Sequence, residues 1–182
     1  MLFLVAALFG LVAGIAAGGS INNLGAIRFK WPLIPLFALI MRDVGVGTPL
    51  AFTPYAPLLY VTGLSLLLLW ALWHRHRVPG IVIVAVGMFL NLVVIGANLG
   101  HMPVSLALAS VGPPDLLRNG VLGYYVLMNP DTRLDFLGDW IQLPPPVSRL
   151  FPQAYSPGDL IAIVGMGLTV FWSTRRRVLT TR

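Results

Sequence analysis

The side chains able to do chemistry are few, and most lie in the second half of the chain. Asn91 and Asn98 stand seven residues apart in an otherwise apolar run, with His101 just beyond them. On a helix that spacing turns both amides the same way. An amide buried without a hydrogen-bond partner costs roughly 2–7 kcal/mol. The pair therefore either ties neighbouring helices together or lines a polar pocket with Asn98 and His101 at its rim. Asp131, Asp135 and Asp139 recur every four residues in a stretch that reads as a short helix from Thr132 to Gln142. Leu134, Leu137 and Ile141 take another face of that helix, with Trp140 beside them. Like charges four residues apart repel slightly. The stripe is then a solvated face paired with Arg118 or Arg149, or a weak oxygen-only site suited to calcium or magnesium rather than zinc.

His101 is the one histidine placed to act together with carboxylates. As a general acid or base oriented by Asp139 or Asp159, with Arg133 holding a phosphate, it would serve an enzyme working on a lipid-borne substrate. Ser156-Pro157-Gly158-Asp159 shares its last two residues with the Gly-x-Gly-Asp signature of intramembrane aspartyl proteases. Ser156 replaces the first glycine, however, and no second aspartate lies within an apolar run. Helix capping accounts for each residue better. Ser156 is an N-cap, Pro157 takes the first helical position, and Asp159 answers the free N–H groups three residues on. The chain has no phosphate loop, no Gly-x-Ser-x-Gly elbow, no His-Glu-x-x-His, no dinucleotide fingerprint and no glutamate at all. It also has no cysteine, which excludes disulfides, iron–sulfur clusters, thiolate zinc and thiol nucleophiles together. No cofactor and no metal site are expected.

The elements that must position these residues belong to a membrane protein. Of 182 residues, 57% are hydrophobic and 10% charged, against roughly 25% charged in soluble domains. The mean hydropathy is +0.85. The net charge of +6 does not point to nucleic acid, because eleven of the twelve cations are arginines dispersed at the feet of apolar runs. A helix needs about 20 apolar residues to cross a hydrocarbon layer of about 30 Å. Five runs qualify: Leu2–Gly18, Trp31–Val46, Pro57–Trp73, Pro79–Asn98 and Gly158–Ser173. The first lacks the basic start of a signal peptide and is expected to be retained. The second is the weakest. Trp31–Met41 meets Arg42-Asp43 after only about 17 Å of helix, so the two charges are expected to pair at the interface while Val44–Val46 complete the crossing.

Five crossings place Arg28, Lys30, Arg75, Arg77, Arg175, Arg176, Arg177 and Arg182 on one side and Arg42, Arg118, Arg133 and Arg149 on the other. The basic excess marks the cytoplasmic side, so the N-terminus is outside and the C-terminus inside. All six acids then lie outside. Trp31, Trp70, Trp73 and Trp172 fall near the ends of the runs, where indoles prefer to sit. Residues 99–157 become an extracytoplasmic cap, broken by Pro113-Pro114 and Pro144-Pro145-Pro146 but too apolar to be a solvated linker.

Gly10, Gly14 and Gly18, with Ala6 a turn earlier, put small residues on one face for close helix packing, either within the bundle or in a homodimer. His74-Arg75-His76-Arg77 reads as a cytoplasmic anchor attracted to anionic headgroups, and His-x-His alone is a weak metal signal.

Three segments in order resemble a bacterial multi-pass membrane family of unknown function. They are Asn91 to Val104 with its Asn98-Leu-Gly100-His101-Met102-Pro103-Val104 core, Thr132-Arg133-Leu134 leading to Leu137-Gly138-Asp139, and Ser156-Pro157-Gly158-Asp159. The resemblance spans Leu2 to about Phe171. It implies a membrane fold, brings no activity, and draws attention to the outer mouth where the three segments would converge.

The sequence thus leads to an all-α polytopic membrane protein of about five transmembrane helices, a single integral domain over 1–182 in the cell (plasma) membrane. An outer-face cap of short helices and turns would cover it. A non-enzymatic accessory subunit or small-ligand or lipid binder fits best, with membrane lipids, further copies or a membrane-complex partner as its company. The alternative is the His101 enzyme at the outer leaflet. A transporter component comes third, since no inverted repeat is visible and no acid sits in the middle of a well-defined span. The candidate polar pocket comprises Asn91, Asn98, His101, Arg133, Asp139 and Asp159.

Overall fold

Proline, glycine and hydroxyl residues decide where each apolar run becomes a helix. Ser156 closes the N-terminus of the last one with a full capping box, and Pro57 occupies the first turn of another. Thr48, held extended ahead of Pro49, stops a third. The computed structural model, which describes residues 1–106 and 123–176, is mostly helical, at 62%. Its helices are α1 (Leu2–Ala16), α2 (Ile21–Gly25), α3 (Leu33–Gly47), α4 (Ala56–Trp73), α5 (Ile81–Ala97), α6 (Val147–Leu150) and α7 (Pro157–Arg175). Asp115, Arg118, Pro113-Pro114, Arg177 and Arg182 lie outside the described residues, and so does the expected pairing of Arg118 with the acidic stripe.

The long helices stand in a row: α3 packs on α4, α4 on α5, α5 on α7, and α7 on α1. Small residues sit at each close approach. Gly63 of α4 lies over the backbone of Ala38 and Arg42, and Gly87 of α5 lies over Gly158 and Ala162 of α7. Gly10 and Gly14 of α1 face Gly167, Phe171 and Thr174 of α7. Small residues at these contacts let the helix backbones approach closely and gain dispersion energy. Gly18 does not extend that face. The helix ends at Ala16, and Gly18 turns the chain at φ +83° with open space where a side chain would be.

The outward surfaces are apolar. Leu4 and Phe9 on α1, Leu36 and Phe37 on α3, Leu58 and Leu69 on α4, Phe89 on α5 and Val164 on α7 are all exposed. Two helices, α4 with 18 residues and α7 with 19, are long and apolar enough to cross a membrane. α1 and α5 are apolar but shorter, at 15 and 17 residues. α3 has 15 residues and carries Arg42 and Asp43 within it, paired at 3.2 Å.

The segment between α5 and α7 is built differently from the expectation of short helices and turns alone. β1 (Met102–Val104) and β2 (Tyr125–Leu127) form a two-stranded parallel ladder, with Met102 opposite Tyr125 and Val104 opposite Leu127. The helix expected from Thr132 to Gln142 is absent. One 3-10 turn, Asp135–Leu137, stands in its place, after Leu134 at φ +53°. The reason is competition for backbone. Asp139 gives its N–H to Pro103 O at 2.8 Å, and its carbonyl accepts from Ser105 N–H at 2.9 Å. The Asp135 carboxylate takes the N–H of Phe136 at 2.8 Å, a local bond that draws the chain away from helix. The three aspartates therefore share no face: Asp131 and Asp135 are exposed and Asp139 is buried.

At the opposite end His74 departs from its expected role as a headgroup anchor. It is fully buried. The N–H of Lys30 donates to its Nε2 at 3.0 Å, which leaves Nδ1 to donate to Trp70 O at 2.8 Å. Trp70 and Phe29 stack around it. His74 thus pins the α2–α3 connection to the end of α4.

Candidate functional site

Polar side chains converge where the segment between α5 and α7 meets the N-terminal ends of α4 and α7 and the C-terminal end of α5. Asn91, on a buried turn of α5, faces the start of α7. Its Nδ2 donates to Asp159 Oδ1 at 2.8 Å, and its Oδ1 accepts from Ser156 Oγ at 2.9 Å. Ser156 Oγ in turn accepts the N–H of Asp159 at 2.9 Å, while Asp159 Oδ2 accepts the N–H of Ser156 at 3.3 Å. The capping box has thus gained a third member from another helix. Gly158 makes this possible, since a side chain there would run into Asn91 and the backbone of Gly87. Asp159 ends with a donor at each carboxylate oxygen.

Asp139 enters from the cap. Its backbone is held by β1, and it is 5% exposed, yet its Oδ1 is buried without a partner among the described residues. A backbone bridge between Ile141 and Tyr155, bonded in both directions at 3.0 and 2.9 Å, brings its strand alongside the entry to α7. Burial, with the Asp159 charge second, pushes the Asp139 carboxyl well above the usual carboxylate range.

Three phenols close the group. Tyr60 of α4 stacks on Tyr124 with ring centroids 3.5 Å apart, and Tyr124 O–H donates to the Tyr125 hydroxyl at 3.1 Å. Burial raises Tyr124, and raises Tyr125 well above the ordinary phenol value, so both remain neutral hydroxyls. Arg42, Asp139 and Asp159 all lie near enough to Tyr124 to act on it electrostatically. With Leu64, Val94, Ile95 and Met102, Tyr60 and Tyr124 form an apolar core that locks the cap onto α4 and α5.

The six residues of the expected pocket divide into groups. Asn91 and Asp159 are directly bonded, with Asp139 close by. Asn98 lies just past the end of α5 and serves a different partner. Its Oδ1 accepts the N–H of Arg133 at 3.0 Å, and its Nδ2 donates to Arg133 O at 2.7 Å and Val94 O at 2.8 Å. Arg133 therefore takes part through its backbone, and its side chain is exposed. Among the described residues the His101 ring forms no hydrogen bond or ion pair with Asp139, Asp159 or any other carboxylate. Reading the sequence missed Tyr60, Tyr124 and Tyr125, and the electrostatic influence of Arg42 on Tyr124. The available signal was a phenol and a guanidinium inside apolar runs, where polar tips demand a partner.

An apolar exterior, a polar seam sealed beneath a cap and two membrane-length helices define a mostly helical protein of membrane-compatible build. The chain belongs to a family described as a family of unknown function, DUF5317, whose profile matches residues 26–171. No curated protein and no solved structure matches it.

Proposed function

We propose that the protein is a multi-pass bacterial plasma-membrane protein that binds a small ligand or lipid headgroup at the outer face without catalysing a reaction, as an accessory subunit. In this reading α1, α3, α4, α5 and α7 all cross the bilayer, the N-terminus is outside, and the end carrying Arg28, Lys30, Arg75, Arg77, Arg175 and Arg176 faces the cytoplasm. The observation that carries the binding role is the orphaned Oδ1 of Asp139. A buried acceptor without a donor costs on the order of 1–3 kcal/mol, and a ligand N–H or O–H entering the seam would recover it. The exposed leucines and phenylalanines of the long helices support the membrane setting, since lipid is the medium that welcomes them.

Two experiments test it. Single cysteines can be added to this cysteine-free chain and probed with a membrane-impermeant maleimide. D131C should label in intact cells and R75C only after permeabilisation, and the reverse pattern would overturn the orientation. Native mass spectrometry of protein extracted with its lipids should show a bound small molecule or isoprenoid lipid that D139L, which lacks the acceptor oxygen, loses. A bare monomer in both preparations would sink the binding role.

A further inference from the structure

Asp139 and Asp159 are two carboxyl groups at one junction with opposite surroundings. Asp159 has a donor at each oxygen, from Asn91 and from the Ser156 N–H, which is what an ionised carboxylate needs. Asp139 has no donor at Oδ1 among the described residues. The Ile141–Tyr155 bridge sets its strand beside the Ser156 N-cap of α7. The titratable groups near enough to act on Asp139 or feel it are Asp159 from α7, Tyr60 from α4, Tyr124 just before β2 and Tyr125 in β2. Positive charge comes from Arg42 of α3, which is shared with Asp43 at 3.2 Å and also acts on Asp159. A second negative charge here would be buried, undonated and opposed by the first. Where two carboxyls meet under such unequal conditions, one stays ionised and the other keeps its proton.

We propose that the Asp139–Asp159 pair is a binding site for a single proton, carried on Asp139, and that this proton holds the cap against the outer ends of α5 and α7. Its release passes one proton to external water and leaves two carboxylates facing each other across the seam. Repulsion then falls between the cap strand that carries Asp139 and the capping box of α7. The site answers to pH on the outer side, because the cap is the element it joins to the helices. The direction of the Asp139 shift, set by burial first and Asp159 second, agrees with this assignment. The inference concerns the seam assigned above to ligand binding and rests on that reading for its location.

Infrared spectroscopy of the full chain in an alkyl maltoside detergent, which has no ester carbonyl, reads the proton directly, because a protonated carboxyl has a carbonyl stretch that a carboxylate lacks. At pH 6, about two units above the ordinary carboxylate value, the wild type should show this band and D139N should lose it. D159N, checked for folding by circular dichroism, should keep the band but shift its titration to lower pH, since the opposing charge is gone. No band in the wild type, or a band that survives D139N, overturns the proposal, and the D139N arm decides by itself. An unmoved titration in D159N overturns the pairing. Ligand binding is scored separately by mass spectrometry, so a missing band leaves that reading intact, and an unchanged mass spectrum leaves the proton site intact.

Discussion

Two buried titratable side chains sit at opposite ends of the helix row, and they are treated in opposite ways. His74 has both ring nitrogens bonded, one to Lys30 N–H and one to Trp70 O, and packs at a tilt against the rings of Phe29 and Trp70. Nothing about it asks for an outside partner, and its role is complete as a tie between α4 and the α2–α3 connection. Asp139 is held just as firmly through its backbone, yet among the described residues its carboxyl has no donor at Oδ1. Burial alone is therefore a poor guide to a site. What separates a structural polar group from a candidate functional one is whether its bonds close within the chain.

The sharpest way to break the outer seam is to crowd it. Gly158→Leu would drive a side chain into Asn91 and the Gly87 backbone. Overpacking against backbone that cannot yield should cost more than about 3 kcal/mol, read as loss of monodisperse protein on size-exclusion chromatography. Asn91→Leu comes next. It strips Asp159 of its Oδ1 donor and Ser156 Oγ of its acceptor, and leaves a buried carboxylate half-satisfied. A loss of about 3 kcal/mol is expected, measured by chemical unfolding in mixed micelles. At the inner end His74→Phe keeps the stack but leaves Lys30 N–H and Trp70 O without partners. The expected loss is smaller, about 2 kcal/mol. Should His74→Phe prove costlier than Asn91→Leu, the contrast between the two ends would be reversed.

The His74 end and the Asp139 seam were unequally legible in the sequence. Helix positions followed from apolar runs and punctuation, so the expected spans and the observed helices differ only at their ends, by at most two residues. The capping box at Ser156 and Asp159 was readable because it is local, a matter of residue types three apart. The destination of Asn91 was not, because its partners are 65 and 68 residues away. The Thr132–Gln142 stretch misled for a related reason: its four-residue aspartate repeat is a local signal, whereas Asp139 is claimed by a strand more than thirty residues earlier. Tyr124 and Tyr125 lie between α5 and α7 with no periodicity around them, and only the ladder with β1 and the Met102 N–H bond to Tyr124 O bring Tyr124 onto Tyr60 and Tyr125 beside it. His74 looked like one charge among four in a basic cluster, and nothing in its neighbours announced Lys30 N–H.

The smallest effect is also the one that discriminates best between the two buried groups. The Asp139 carboxyl is raised in the folded protein, by burial first and by the Asp159 charge second. Below the ordinary carboxylate range folded and unfolded chains both hold this proton, so its contribution to stability is fully present. As pH rises above that range the unfolded chain releases the proton while the folded chain keeps it. Stability then falls with pH until the folded group itself ionises, after which the slope vanishes. One proton sets a limit of about 1.4 kcal/mol per pH unit on that slope. In D139N the component should disappear, and the difference between the two unfolding curves should grow in favour of the variant as pH increases. Since Asn reproduces the shape of a neutral carboxyl, the variant isolates the ionisation from the packing. Wild type and D139N that run parallel across the whole range would mean that Asp139 finds its missing donor when folded in lipid, and that the outer seam is closed in the same way as the inner one.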